Sequence, residues 1–476
     1  MNDVLALLRD LQSGDLPTHG GRTLAYVYDS GLAEADEVGR QALALYGATN
    51  GLDPTVFPSL RRLENDLVAQ ALRLLQAPPG AVGTVTSGGT ESILLAVQTA
   101  RDARPDVTRP AMVLPSSAHA AFHKAAHYFG VRAVTVDVDP VTFRADPAAM
   151  AAAIKENTVL VVASAPSYAH GVVDPVPEIS GTAAERGVRF HVDACIGGWV
   201  LPYLRLDGLA VPEFDFAVDG VTSMSVDLHK YAYTPKGASL LLHRTAELRR
   251  PQFFAHADWP GYTMLNSTTQ STKSGAPLAA AWAVVRHIGD DGYRPLARAA
   301  YDATRALVET IGGIDGLTVL GSPDSTLVAA VADGTFDVFT VADEMAARGW
   351  YVQPQLSFRG QPPSLHLSMS AATAGRVAEL GTALADAVAT ARTAGPVAVA
   401  PELRAAALTL DPATLDDAAF DGLLAIAGLD AVTESGSLPD RMAPVNALLD
   451  AAPPRLREAL LVAFLDRLMR PDLTSR

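Results

Sequence analysis

Three short stretches carry residue types that could act together on one small molecule. Thr86-Ser87-Gly88-Gly89-Thr90-Glu91-Ser92 lies between an apolar run and the helical pattern Ile93, Leu94, Val97, Ala100. Small residues at a helix start leave backbone N–H groups free, and these, with the helix dipole, attract a phosphate. No Gly-Lys-Ser/Thr follows, so the stretch is neither a P-loop nor a dinucleotide fingerprint, and alone it also reads as a plain strand-to-helix turn. Asp193 ends the β-like run 188–192, where open α/β sheets place ligand-binding groups; an N-cap is the plainer role. Lys230 closes Ser225-Val226-Asp227-Leu228-His229-Lys230, after another β-like run. In apolar surroundings such a lysine is a Schiff-base nucleophile; elsewhere it is a surface cation.

In that order, a phosphate cradle, a sheet-edge carboxylate and an amine are the parts that pyridoxal phosphate needs. Its phosphate wants an anchor, its aldehyde an amine, and its ring nitrogen an acid partner that keeps it protonated. The charge-assisted Asp–pyridinium bond is worth roughly 1.5–3 kcal/mol. A buried Lys230 beside a cationic His229 is expected to have a depressed pKa, which favours attack on the aldehyde.

The elements that must position these groups alternate. Strands are expected at 111–114, 131–138, 158–163 and 188–192, with helices at 118–129, 147–156 and a third ending at Gly187. Such alternation means a mostly parallel sheet covered on both faces, an α/β domain. After a strand at 238–242 come helical patterns near 276–288 and 294–313. A smaller α+β unit follows, with strands near 326–331 and 364–370 and a helix at 374–394. The Pro- and Ala-rich stretch 395–401 reads as a linker to a helical tail. The division expected is an N-terminal arm (1–59), a large domain (60–315) and a small domain with its tail (316–476).

The chain has 476 residues, 37 Lys and Arg against 52 Asp and Glu, and a formal charge of -15. Without a basic cluster, nucleic acid and anionic membranes are not expected as partners. The single Cys195 excludes an internal disulfide and a Cys-based zinc cluster. The only apolar run near the amino terminus, residues 4–8, is too short for a signal peptide, so a soluble cytoplasmic protein is expected.

The sequence resembles the sphingosine-1-phosphate lyase branch of the pyridoxal-phosphate group II decarboxylase superfamily. The matching stretches are residues 86–93, 117–122, 170–178, 191–198 and 227–237, with Gln252-Phe253-Phe254 and Asp258-Trp259 following. The resemblance implies a fold-type I enzyme with a seven-stranded sheet, in which Lys230 carries the cofactor covalently and Asp193 pairs with its ring nitrogen. Ser87, Gly88, Gly89, Thr90 and His229 would hold the phosphate, and His119 would stack on the ring. Thr272, where the family usually has Ser, would be supplied by a neighbouring subunit, so a homodimer with shared sites is implied. Lys236, Tyr168, His170 and Tyr28 (or Tyr26) would lie on the substrate side.

The implied activity is breakage of a bond at Cα of an amino substrate. Retro-aldol cleavage by a carbon–carbon lyase is one outcome, decarboxylation the alternative, and a non-catalytic relative the remote one. The family's Asn-Pro-Leu-His-Pro segment is here Asn50-Gly51-Leu52-Asp53-Pro54. A carboxylate there would repel a phosphate, by roughly 1 kcal/mol if well solvated. Met264 and Thr433 also replace tyrosines, so a substrate other than a long-chain amino-alcohol phosphate is expected, unless Asp53 faces solvent. His119, His123 and His127 share one helix face, but no carboxylate or cysteine completes a ligand set, and no metal is expected. Cys195 is expected to pack as a small apolar residue, and no Gly-x-Ser-x-Gly elbow suggests a serine hydrolase.

Overall fold

The computed structural model describes residues 2–426 and 439–471, so Thr433 lies outside the described residues. Val-, Leu- and Ala-rich runs with every residue buried, such as β4 (Thr158–Ser164), can only be interior strands of a sheet covered on both faces. Its companions are β1 (Val82–Thr86), β2 (Ala111–Pro115), β3 (Arg132–Val136), β5 (Arg189–Asp193), β6 (Ser223–Asp227) and β7 (Ser239–His243). The seven strands lie in the order β1-β7-β6-β5-β4-β2-β3. Strands β6, β5, β4, β2 and β3 pair in parallel, while β7 runs antiparallel to β1 and β6.

Of the first five helices, the last three supply cover. Helix α1 (Asn2–Gln12) is exposed, α2 (Ala33–Leu45) buries little, and α3 (Pro58–Leu74) turns Leu60, Leu63, Leu67 and Ala71 inward at helical spacing. Helix α4 (Gly89–Asp102) is buried over most of its length. Helix α5 (Ala121–Phe129) stops at Gly130, whose φ of 62° closes its C-terminus. The two helices expected near 276–288 and 294–313 are found within Gly275–Gly312, separated at Gly289, whose φ of 62° and ψ of 173° are non-helical. Before it stands an exposed hairpin, β8 (Phe254–His256) with β9 (Met264–Asn266).

Contacts gather the chain into two units. The first contains residues 1–307, 320–328 and 368–376, so the N-terminal arm belongs to it; the second contains 308–319, 329–367 and 377–476. The second is α+β, built on a four-stranded sheet in the order β10 (Leu317–Val319), β11 (Leu327–Ala332), β13 (Ser364–Ser368), β12 (Gln353–Gln355). Its tail holds the helices Pro401–Thr409, Asp417–Ile426, Ala443–Ala451 and Pro454–Leu468. Among the described residues, no helix is long and apolar enough to cross a membrane.

Candidate active site

The carboxyl ends of β1, β2, β4, β5 and β6 feed one cavity of about 420 Å³ in the first unit. That edge is where parallel sheets bind ligands, and the size falls within the roughly 300–1,000 Å³ of small-molecule sites. The turn after β1 contributes Ser87, Gly88, Gly89 and Thr90, and that after β2 His119. Tyr168 comes after β4, Asp193 ends β5, and Asp227, His229 and Lys230 come from the end of β6 and the turn after it. The three stretches that the sequence singles out meet here.

Asp193 is buried, and its Oδ1 accepts the Cys195 N–H (3.1 Å) and the Ser225 hydroxyl (3.2 Å). Its second oxygen is thereby left to a ligand. Behind it, His191 places Nε2 3.2 Å from Ser225 Oγ and Nδ1 2.9 Å from Ser223 Oγ. Burial lowers His191 to about 4, so it is neutral. With the Ser225 proton given to Asp193, the Ser225 oxygen accepts from Nε2–H, which leaves Nδ1 to accept from Ser223.

Lys230 Nζ lies 2.9 Å from Asp227 Oδ2. Burial alone acts to lower the lysine, but the Asp227 carboxylate outweighs it and raises its pKa. The expected depressed lysine is therefore not found: its neighbour His229 is itself pushed down, first by burial and then by Lys236 and Lys230, and is no cation. A carboxylate three residues back decides the sign.

Gly89 is required by space. A Cβ there would stand 2.8 Å from both Asp227 oxygens and from Cys195 Sγ, filling the floor of the cavity. His229 Nδ1 and Asp227 Oδ1 are buried without hydrogen-bond partners, as in a site shaped for a polar ligand. The start of α4, the hydroxyls of Ser87 and Thr90, and His229 suit a phosphate; Asp193 suits a ring N–H; Lys230 suits an aldehyde. The cavity fits pyridoxal phosphate.

Around it, His119 fixes its ring by accepting the Ala121 N–H on Nδ1 (3.2 Å) and meets Tyr168 edge-on at 6.5 Å. Tyr28 is half-buried, edge-on to Tyr231 at 5.1 Å, with Lys236 Nζ 5.2 Å above its ring. Lys236 donates to the Tyr26 carbonyl at 2.8 Å; partial burial and then Lys230 lower it to about 8.

Tyr28 and Lys236 are beside the cavity without lining it, and three further expected residues do not line it either. His170 stacks on Phe143 (ring centroids 4.4 Å apart) and does not line the cavity. Asp53 turns into its own loop, accepting the Thr55 N–H at 2.7 Å and its hydroxyl at 2.6 Å, and lines a separate cavity with Phe57 and Lys273. Within this chain Asp53 therefore does not line the cavity of Lys230 and Asp193, where it would repel a substrate phosphate. Thr272 is exposed and outside its own chain's cavity. Conversely, Asp227, Glu91 and Cys195 line the site without having been singled out for it. The visible signals were a carboxylate three residues before the lysine and another in the first turn of α4.

A model of the pyridoxal-dependent decarboxylase conserved domain matches residues 37–329, which contain every cavity residue. The chain belongs to the pyridoxal-dependent decarboxylase family. Its cofactor is pyridoxal phosphate. Among curated members it is similar to a sphingosine-1-phosphate lyase of Dictyostelium discoideum, 39% identical over 70% of this chain and 62% of that one. It therefore spans under two thirds of that relative's length. A probable L-aspartate decarboxylase of Pyrococcus abyssi is 32% identical over 73% of this chain and 88% of its own. The solved sphingosine-1-phosphate lyase of Burkholderia pseudomallei superposes with a TM-score of 0.78 at 35% identity, covering 83% of this chain and 91% of that one. A second model, the C-terminal putative HTH domain of pyridoxal-dependent enzymes, matches the helical tail at 401–467. Its family relationship was not legible from helical pattern alone.

Proposed function

We propose that this member of the family is a carbon–carbon lyase that cleaves the Cα–Cβ bond of a phosphorylated amino alcohol, working as a homodimer. The observation that carries this reading is the convergence of Lys230, Asp193 and the Gly88-Gly89 cradle on one cavity, with a second lysine, Lys236, close enough to feel Lys230. The names of the similar lyases point to the same substrate class.

When bound, the cofactor supplies an electron sink for the pair released as a bond at Cα breaks. The chain's own residues do the rest. Asp193 holds the proton on the ring nitrogen, and the cradle with His229 anchors the phosphate. His119 and Tyr168, which line the cavity edge-on to each other, would flank the ring and limit how a substrate lies against it. Lys230 would supply the amine that holds the cofactor and a base or acid for the bond at Cα. Lys236 offers a cation to a substrate phosphate.

The dimer reading draws on two exposed features. Thr272 lies outside its own cavity, and the hairpin region exposes Phe253, Phe254, Trp259, Tyr262 and Leu265, an apolar surface suited to a second copy. Nucleic acid is not proposed as a partner. Arg441 pairs with Glu344, Arg467 with Asp421, Arg470 with Asp417, and Arg457 bonds backbone carbonyls, so these tail cations are already engaged.

The P. abyssi relative favours decarboxylation as a second reading. Purified protein is incubated with sphingosine 1-phosphate, shorter amino-alcohol phosphates, L-aspartate and L-glutamate, and both aldehyde and CO2 are measured. Aldehyde from the phosphorylated substrates is the expected result. CO2 without aldehyde overturns the lyase reading in favour of decarboxylation.

A further inference from the structure

We propose that Asp227 is a positioning residue that holds Lys230 in an ion pair, so that capture of the cofactor must first break that pair. This rests on Lys230 being the cofactor's covalent partner. Asp227 is almost fully enclosed, with its side chain 3% exposed and Oδ2 2.9 Å from Lys230 Nζ. Its Oδ1 has no hydrogen-bond partner, so the lysine is the main compensation for a buried charge. Gly89 packs so closely that a Cβ there would touch both carboxylate oxygens. The anion thus stands under the phosphate cradle, where without the lysine it would oppose an incoming phosphate. Once the Lys230 nitrogen is engaged, the next cation-forming group beside Asp227 is His229, with Nε2 3.7 Å away.

The other groups facing Lys230 do not account for its charge. Tyr28 from the arm and Cys195 after β5 are both raised by burial and so neutral near pH 7. His229 is lowered, and Lys236, cationic up to about 8, repels. Asp193 lines the same cavity but is engaged by Ser225 and Cys195. Asp227 alone in this set favours the ammonium.

The test needs no turnover. Cofactor-free protein is mixed with pyridoxal phosphate between pH 6 and 9, and covalent capture is followed by absorbance. Borohydride reduction and peptide mass then locate the label at each pH. In the unaltered chain the capture rate is expected to climb about tenfold per pH unit, the behaviour of an amine whose neutral form is scarce. In Asp227→Asn, with unfolding temperature matched, the rate at pH 7 should rise at least tenfold and flatten within the window. A flat profile in the unaltered chain, or an unchanged rate and slope in Asp227→Asn, overturns the proposal. Should that variant fail to fold, Asp227→Ser is read by the same rate and slope, and an unchanged profile there overturns the proposal. Label on another lysine overturns the reading of Lys230; label on Lys230 with a flat profile overturns only the role of Asp227.

Discussion

Glu91 accepts the Thr269 backbone N–H on Oε1 at 3.0 Å, while its Oε2 accepts the Ser87 N–H at 2.7 Å. One buried carboxylate in the first turn of α4 thus ties the mouth of the phosphate cradle to the strap that carries Thr272. Glutamine cannot accept at both oxygens, and its amide would face a backbone N–H. The cost is about 1–3 kcal/mol for an unsatisfied buried donor. Glu91→Gln is expected to lower the unfolding temperature by several degrees and to speed cofactor loss on dialysis. An unchanged melting curve with full cofactor retention would show that this carboxylate tethers nothing.

Asp193→Asn should keep the fold, because the swap is nearly isosteric and Oδ1 can still accept from Cys195 and Ser225. It removes the charge that holds the ring proton. A fall in kcat on the order of a hundredfold or more is expected, with circular dichroism unchanged. Turnover equal to the parent in a well-folded variant would remove Asp193 from its role.

Gly89→Ala adds a methyl 2.8 Å from Asp227 and Cys195. Overpacking of this kind costs about 1–3 kcal/mol and here lands on the cradle floor. Spectrophotometric titration should show pyridoxal phosphate bound at least tenfold more weakly. Gly181→Ala, which meets nothing within 4 Å, serves as the control. Parent-like binding by Gly89→Ala would place the cradle elsewhere.

Lys236 offers a pH signature. Its pKa of about 8 is lowered by burial and by Lys230, so it is a cation below that pH and largely neutral above it. KM for a phosphorylated substrate should therefore rise between pH 7 and 9, while KM for an unphosphorylated analogue changes less. Lys236→Arg, cationic throughout, should abolish the rise. Parallel KM profiles for the two substrates would show that Lys236 does not meet the phosphate.

What could be read in advance follows from chemistry that leaves a local mark. Small residues at the start of α4, a carboxylate closing β5 and a lysine beyond β6 are each tied to a strand end, and strand ends are visible in hydrophobic pattern. Gly130 marked the stop of α5 for the same reason. The direction of Asp53 is set by Thr55, two residues on, a local turn that competes with any remote role and that a family comparison of the segment does not reveal. The place of His170 depends on Phe143, a stacking partner distant in sequence and so invisible to local pattern. The sign of the Lys230 shift was missed because adjacency pointed to His229, whereas the backbone turn brings Asp227 to the amine.

The three-part composition of the first unit bears on how the protein comes into being on the ribosome. Ser368 N–H bonds the Leu24 carbonyl at 2.7 Å, Tyr231 gives its hydroxyl proton to the Met369 carbonyl, and Arg144 meets Asp324 at 2.8 Å. The partners of Leu24, Arg144 and Tyr231 are thus synthesised long after them. At about 5–20 residues per second, roughly 3–14 s separate residue 307 from residue 376. Through that interval these two hydrogen bonds and this ion pair cannot form. A gene truncated after residue 307 would encode a polypeptide that lacks the partners of Leu24, Arg144 and Tyr231 altogether.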